Sequence, residues 1–324
     1  MKSGLFALLA AALLPAMAVA QTSTADIAPR TELHAIPTMT VSDSDFLAGK
    51  DGKAATVAGQ LRIAQGTGKL PVVILMHGSG GMGAQLDTWS RLFNSMGVST
   101  FAIDGFTGRG LTSVNMNQAQ LGRLNFILDI YGALAILANH PRVDPQRIVL
   151  MGFSRGGQAA LYASLTRFHK MWNKSGASFA AYIPFYPDCA TSYIDDTDVA
   201  AAPIRIFHGI ADDYNPVSSC KAFLARLKSA GRDVELTEYA DAQHGFDSPL
   251  GAVVIAKGAQ TVRACTIKEG PAGVLVNTAT GAPFAYTDGC VQLDPHVGRN
   301  AAAAAAAQAA VSEFVRTLFK KTSP

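Results

Sequence analysis

Short apolar runs alternate with helix-length segments along most of this chain, and that alternation restricts its fold more than any other feature. Pro71-Val-Val-Ile-Leu-Met76 is too short for a helix, is rich in β-branched residues and has no polar face, so it reads as a strand covered on both sides. Before it, residues 54–64 alternate apolar and polar side chains, the pattern of a strand with one wet face. Helical spacing predicts helices over 84–96 and 118–139, interleaved with strands at 98–103 and 147–151. Further strands are expected at 178–183, 203–207 and 234–239, with a helix at 216–230. Strands separated by helices of this length run parallel, because each crossover returns the chain to the same edge. The expected fold class is α/β, a doubly wound, mostly parallel sheet with helices on both faces.

The two ends of the chain read differently. Lys2, the apolar stretch from Leu5 to Leu14 and the small residues Ala18-Val19-Ala20 make residues 1–20 a secretory signal peptide. The stretch is broken by Pro15 and is shorter than the roughly 20 residues a membrane span requires. An exported protein is therefore expected, periplasmic or secreted, with no integral membrane segment in the mature chain. Residues 21–34 read as a leader segment and 35–324 as one domain. Within that domain a Gly-, Pro- and Thr-rich stretch at about 248–298 reads as a loop-rich insertion. The alanine run that starts at Ala301 leads into Val311, Phe314, Val315 and Leu318 at helical spacing, which predicts a last helix packed on the sheet.

The net charge of +3 includes Lys2, and no basic block follows, which argues against a nucleic-acid partner. Cys189, Cys220, Cys265 and Cys290 form an even set in an exported chain, so disulfides are expected rather than metal ligation. No CxxC or His-rich spacing suggests a metal site. Cys189 and Cys220 each follow a core strand and should emerge at one sheet edge, whereas Cys265 and Cys290 bracket the insertion. The expected pairs are Cys189 with Cys220 and Cys265 with Cys290.

Gly152-Phe-Ser154-Arg-Gly-Gly157 lies between the apolar run Ile148–Met151 and a helical segment. A serine on such a tight strand-to-helix turn is pushed out of the sheet edge, next to the free N–H groups of the helix start. A hydroxyl needs a base to become a nucleophile, and the base needs an orienting carboxylate. Both follow in order: Asp212 and Asp213 stand in the loop after strand 203–207, and His244 in the loop after strand 234–239. Asp212 is the preferred acid, because Asp213 is equally placed to cap the next helix. Asp241 and Asp247 flank His244 too closely to reach its Nδ1 with the right direction. Backbone N–H groups of Ser79 and Arg155 are the expected oxyanion donors. His77, beside the first of them, is read as a structural hydrogen-bonding group.

These residues resemble the dienelactone hydrolase family of α/β hydrolases. The likeness rests on His77-Gly-Ser79-Gly-Gly81, Asp104-Gly-Phe-Thr-Gly-Arg109, the elbow around Ser154, the Asp212-Asp213 loop ending in Pro216, and His244-Gly-Phe-Asp247. It implies the α/β-hydrolase fold and a cofactor-free hydrolase that opens small-molecule esters or lactones through an acyl-enzyme. Enzymes that open dienelactones typically carry cysteine where this chain has Ser154, so a general serine esterase is expected here. Arg109 and Arg155 are candidate partners for a substrate carboxylate, with loop bracing as the plainer role. Rival functions are an exported peptidase or acyltransferase of the same fold, or a binding protein on an inactivated hydrolase fold.

Overall fold

The computed structural model describes residues 29–249 and 251–321. The expected signal peptide and residues 21–28 lie outside this range. The main sheet has eight strands in the order β1-β2-β4-β3-β5-β6-β8-β9. These are β1 (Arg30–Thr40), β2 (Lys53–Ile63), β3 (Leu70–Met76), β4 (Ser99–Asp104), β5 (Val143–Phe153), β6 (Ala181–Phe185), β8 (Ile204–Gly209) and β9 (Val234–Tyr239). Only β2 is antiparallel to its neighbours, β1 and β4, and the remaining pairs are parallel. This is the α/β-hydrolase fold.

β1 begins inside the segment expected as a leader and pairs with β2 along its full length, from Arg30↔Ile63 to Thr40↔Lys53. Its apolar pattern is weak and Pro37 interrupts it. An edge strand tolerates both, because one side of its backbone has no partner to satisfy.

Strand parity decides which helix covers which face. Ile74, Leu150 and Ile206 point into a core shared with α3 (Asn125–Ala138), α4 (Arg155–Tyr162) and α6 (Val217–Ser229), where Phe126, Leu134, Tyr162 and Phe223 are fully buried. Val73, Leu75, Val149 and Met151 point the other way, onto Trp89 and Phe93 of α2 (Ala84–Ser95) and onto α7 (Ala301–Lys321). On α7 the buried residues Ala303, Ala307, Val311, Val315 and Phe319 recur every fourth position, one stripe of a helix, and the alanines let it approach the sheet closely. Each large side chain withdrawn from water in these layers contributes about 1.5–3 kcal/mol.

The helix expected over 118–139 is shorter. Residues Gln118–Gln120 form a single 3-10 turn and α3 starts only at Asn125. Two short helices, α1 (Asp43–Leu47) and α5 (Thr166–Trp172), complete the set.

The 248–298 insertion is more ordered than its composition suggests. It carries β10 (Val254–Ile255), β11 (Gln260–Thr261), β12 (Ile267–Glu269), β13 (Leu275–Asn277), β14 (Gln292–Leu293) and β15 (His296–Val297). These pair as β10-β15, β11-β14 and β13-β12-β7, the last joining it to β7 (Thr191–Ser192) of the main domain. Disulfides join Cys189 to Cys220 and Cys265 to Cys290, the pairs expected from their positions.

Candidate active site

The carboxyl ends of β5, β8 and β9 carry the residues singled out in the sequence. At the end of β5 the chain turns so sharply that glycine is required: a Cβ on Gly152 would lie 2.1 Å from the Gly156 carbonyl oxygen, and one on Gly156 2.2 Å from that of Met76. Between them Ser154 adopts φ +55° and ψ −116°, a conformation L-residues rarely hold, and starts α4. Its N–H is fixed to Phe185 O at 3.0 Å. The strain projects the hydroxyl out of the sheet edge.

His244 Nε2 lies 2.8 Å from Ser154 Oγ, and His244 Nδ1 lies 2.8 Å from Asp212 Oδ2. The second oxygen of Asp212 accepts the N–H groups of Tyr214 and Asn215, each at 2.8 Å. With that oxygen engaged, the other faces the imidazole, which places the histidine proton on Nδ1 and leaves Nε2 free to accept from the serine. The imidazole is gripped from two sides: the Tyr214 ring stacks on it at 4.5 Å and the Tyr186 ring meets it at 4.6 Å. Tyr186 has φ +34°. Its hydroxyl donates to Asp247, which also accepts from Trp89 Nε1 and Gln85 Nε2. Burial pushes the Asp247 carboxyl above its usual range.

The neighbouring carboxylates stay away from His244 Nδ1. Asp213 turns into the insertion, where His296 Nδ1 and the His296 N–H lie at 2.9 and 2.8 Å. His77 is buried, its Nδ1 donating to Gly78 O at 2.7 Å and its Nε2 accepting the Gly105 N–H at 3.0 Å. Both nitrogens are thus occupied by backbone, as expected of a structural group. Burial lowers its pKa to about 4.

The loop at 77–81 lies against Ser154, since a Cβ on Gly78 would be 3.1 Å from Ser154 Cβ. Arg155 is the first residue of α4, so its N–H has no acceptor within the helix. The two expected oxyanion donors thus come from the two segments that meet at Ser154.

Arg109 is not at the site. Its guanidinium is buried, pairs with both oxygens of Asp129 at 2.7 and 2.8 Å, and donates to Thr40 Oγ1, Gly105 O and Met39 O. With every arm engaged it braces the β4 loop, and no donor is left for a substrate. The arginine that does reach the neighbourhood, besides Arg155, is Arg123. Arg123, Arg155, Ser79, Gln118, Gln158 and Tyr214 line a cavity of about 30 Å³ together with Gln260 and Tyr286 of the insertion. Three buried donors in its wall, Arg123 Nε, Arg155 Nε and Gln158 Nε2, have no acceptor among the described residues. Arg123 is paired with Asp188 at 3.0 Å, whereas Arg155 donates to the carbonyl oxygens of Gln118 and Leu121. Burial lowers the Arg155 pKa, against the opposing pull of the Asp43 carboxyl.

Among the described residues one group has donors close enough to hold a metal ion, Glu32, His34 and His140 at the β1 edge. His140 Nδ1 accepts the Arg142 N–H, so its proton sits on Nε2, 2.9 Å from Glu32. That tautomer serves a hydrogen bond and offers no lone pair to a metal.

A statistical description of the dienelactone hydrolase family matches residues 57–269, from β2 through the site into the insertion. The chain belongs to the dienelactone hydrolase family. A candidate carboxymethylenebutenolidase of Synechocystis sp. is 25% identical over 222 residues, spanning 64% of this chain and 88% of that protein. Among solved structures, a dienelactone hydrolase-like promiscuous phosphotriesterase from metagenomic libraries covers 89% of this chain and 98% of its own, with a TM-score of 0.56 and 15% identity. Esterase 2 of Thermogutta terrifontis covers 60% of this chain and 82% of its own, with a TM-score of 0.47 and 22% identity. For this family member a hydrolase activity follows, with esters or lactones as the substrate range. No helix among the described residues is long and apolar enough to cross a membrane.

Sequence reading missed Tyr186, Tyr214, Gln118, Arg123 and Gln158. Tyr214 had a signal, an aromatic two residues past the acid. Gln118 and Arg123 had none, because they stand in an irregular stretch that only the fold brings beside Ser154.

Proposed function

We propose that this protein is an exported serine hydrolase that cleaves carboxylic esters or lactones through an acyl-enzyme. The observation that carries the reading is the unbroken relay from Ser154 Oγ through His244 to Asp212, each link 2.8 Å long. His244 Nε2 takes the serine proton as Oγ adds to the carbonyl carbon, and the N–H groups of Ser79 and Arg155 receive the oxyanion. The imidazolium then returns the proton to the departing alkoxide. Water, deprotonated by the same nitrogen, attacks the acyl-enzyme and releases the acid and Ser154. Asp212 holds the imidazole tautomer throughout. The two disulfides agree with an oxidising compartment.

The cavity beside the elbow supports a narrower substrate class. Unpaired donors beside two guanidinium groups favour an acceptor-rich, anionic group, and its volume suits something of carboxylate size. The substrate is thus an ester or lactone that carries an acid group near the scissile carbonyl, with Arg123 taking the place expected of Arg109 beside Arg155.

A fluorophosphonate probe on the purified protein tests the reading. Labelling mapped to Ser154 that vanishes in His244→Ala supports it. Folded wild-type protein that stays unlabelled would return the chain to the non-catalytic binding role.

A further inference from the structure

We propose that Gln118 is a positioning residue that sets both halves of the oxyanion hole and the stacking partner of the base; this rests on the serine-hydrolase reading above. Gln118 is buried at the 3-10 turn before α3, far from any catalytic motif. Its side-chain oxygen accepts Arg155 Nη1 at 2.8 Å and Ser79 Oγ at 3.1 Å. The two residues whose backbone N–H groups face the oxyanion therefore meet, through their side chains, on one amide oxygen. The amide nitrogen of Gln118 donates to the Tyr214 hydroxyl at 3.3 Å. Tyr214 in turn stacks on His244 and gives its N–H to Asp212.

No other side-chain type makes this joint. The oxygen faces two donors and the nitrogen faces a hydroxyl, so the site needs an acceptor and a donor on one planar group, which an amide supplies and a carboxylate does not. The amide is also neutral. A carboxylate here would pair with the Arg155 guanidinium and place negative charge beside the developing oxyanion, so neutrality preserves a positive field where negative charge forms.

Gln118 is itself held by the insertion. Its N–H donates to Gln260 Oε1 at 2.9 Å, the Gln260 N–H donates to Asn115 O at 2.8 Å, and Thr261 Oγ1 donates to Tyr214 O at 2.5 Å. The short β11 strand thus fixes both ends of the Gln118–Tyr214 link, which gives the insertion a part in organising the site.

The test is Gln118→Met, which keeps the length and apolar bulk of the side chain and removes both hydrogen-bonding functions. Displacing oxyanion donors by fractions of an ångström lowers turnover with little change in ground-state binding. On a neutral ester such as p-nitrophenyl acetate, which leaves the arginine cavity empty, the expected result is a kcat about 10–100-fold lower with KM within about twofold of wild type. Affinity for a trifluoromethyl ketone, whose serine adduct bears the oxyanion, should fall by the same factor as kcat/KM. A purely structural role would lower the melting temperature and leave both quantities unchanged per folded molecule, and that outcome overturns the proposal. If Gln118→Met does not fold, Ser79→Ala and Tyr214→Phe each remove one partner and keep the backbone N–H groups. Each should then lower kcat and ketone affinity together, and two variants with wild-type values overturn it equally. Fluorophosphonate labelling of wild-type Ser154, run alongside, separates failure of this proposal from failure of the serine-hydrolase reading.

Discussion

Asp212 and Asp213 are neighbours in the chain, and each takes a different histidine. Asp212 turns inward to His244 Nδ1 at 2.8 Å, and Asp213 turns outward to His296 Nδ1 at 2.9 Å. Two adjacent carboxylates thus hold His244 and the insertion respectively.

Their substitutions should separate accordingly. In Asp212→Asn the imidazole loses its orienting acceptor, and kcat on an activated ester such as p-nitrophenyl acetate should fall by about 10⁴ with KM little changed. Asp213→Asn should keep kcat within about threefold. Stopped-time assays of both purified variants decide this, and equal losses would remove Asp212 from its special role.

The arginine cavity makes a prediction about selectivity. Arg123→Met should lower kcat/KM for half-esters of short dicarboxylic acids by about 10–100-fold, the worth of one or two charge-assisted hydrogen bonds. Turnover of the corresponding neutral diesters should stay within about threefold. A parallel loss on both substrates would mean that Arg123 acts only through packing.

Arg109 and Asp129 should matter for stability and not for substrate. Removing one member of a buried pair leaves the other charged and unpaired, so Arg109→Met is expected to cost about 3–5 kcal/mol in urea unfolding. At temperatures where the variant is folded, kcat/KM should remain near wild type. A tenfold drop in folded protein would return Arg109 to substrate recognition.

His77 gives a pH dependence whose sign follows from its burial. Its pKa is lowered from 6.5 to about 4 by desolvation, so between these values the unfolded chain binds a proton that the folded chain refuses. The associated stability is complete above about pH 6.5 and is lost as pH falls through about 4, up to roughly 3 kcal/mol. Denaturant midpoints at pH 7 and pH 4 should therefore differ less in His77→Gln than in wild type. An unchanged difference would show that the ring accepts its proton without cost.

The parts of this molecule that were legible in its sequence are those where one short segment determines its own structure. The all-apolar run 71–76 became β3, buried along its length, and the glycines around Ser154 announced a turn that only glycine can make. Asp212 and His244 were readable because strand ends deliver them to a common edge in a fixed order. The edge strand β1 was missed because its register comes from β2 and not from any pattern of its own. Arg109 was placed at the substrate by its motif, although its true partner, Asp129, sits 20 residues away on α3 with no local cue. The Gln118 contacts run to Arg155, Tyr214 and Gln260. Such long-range polar contacts leave no periodic trace.

The insertion returns to the Asp212–Asp213 loop, the His244 loop and the Gln118 turn after all three have passed. Gly298 N–H holds His244 O, His296 holds Asp213, and Gln260 holds Gln118. A nascent chain that has reached Asp247 already contains Ser154, Asp212 and His244, yet lacks the segments that fasten the loops of the last two. The contacts that hold those loops therefore form only once residues made after all three are available.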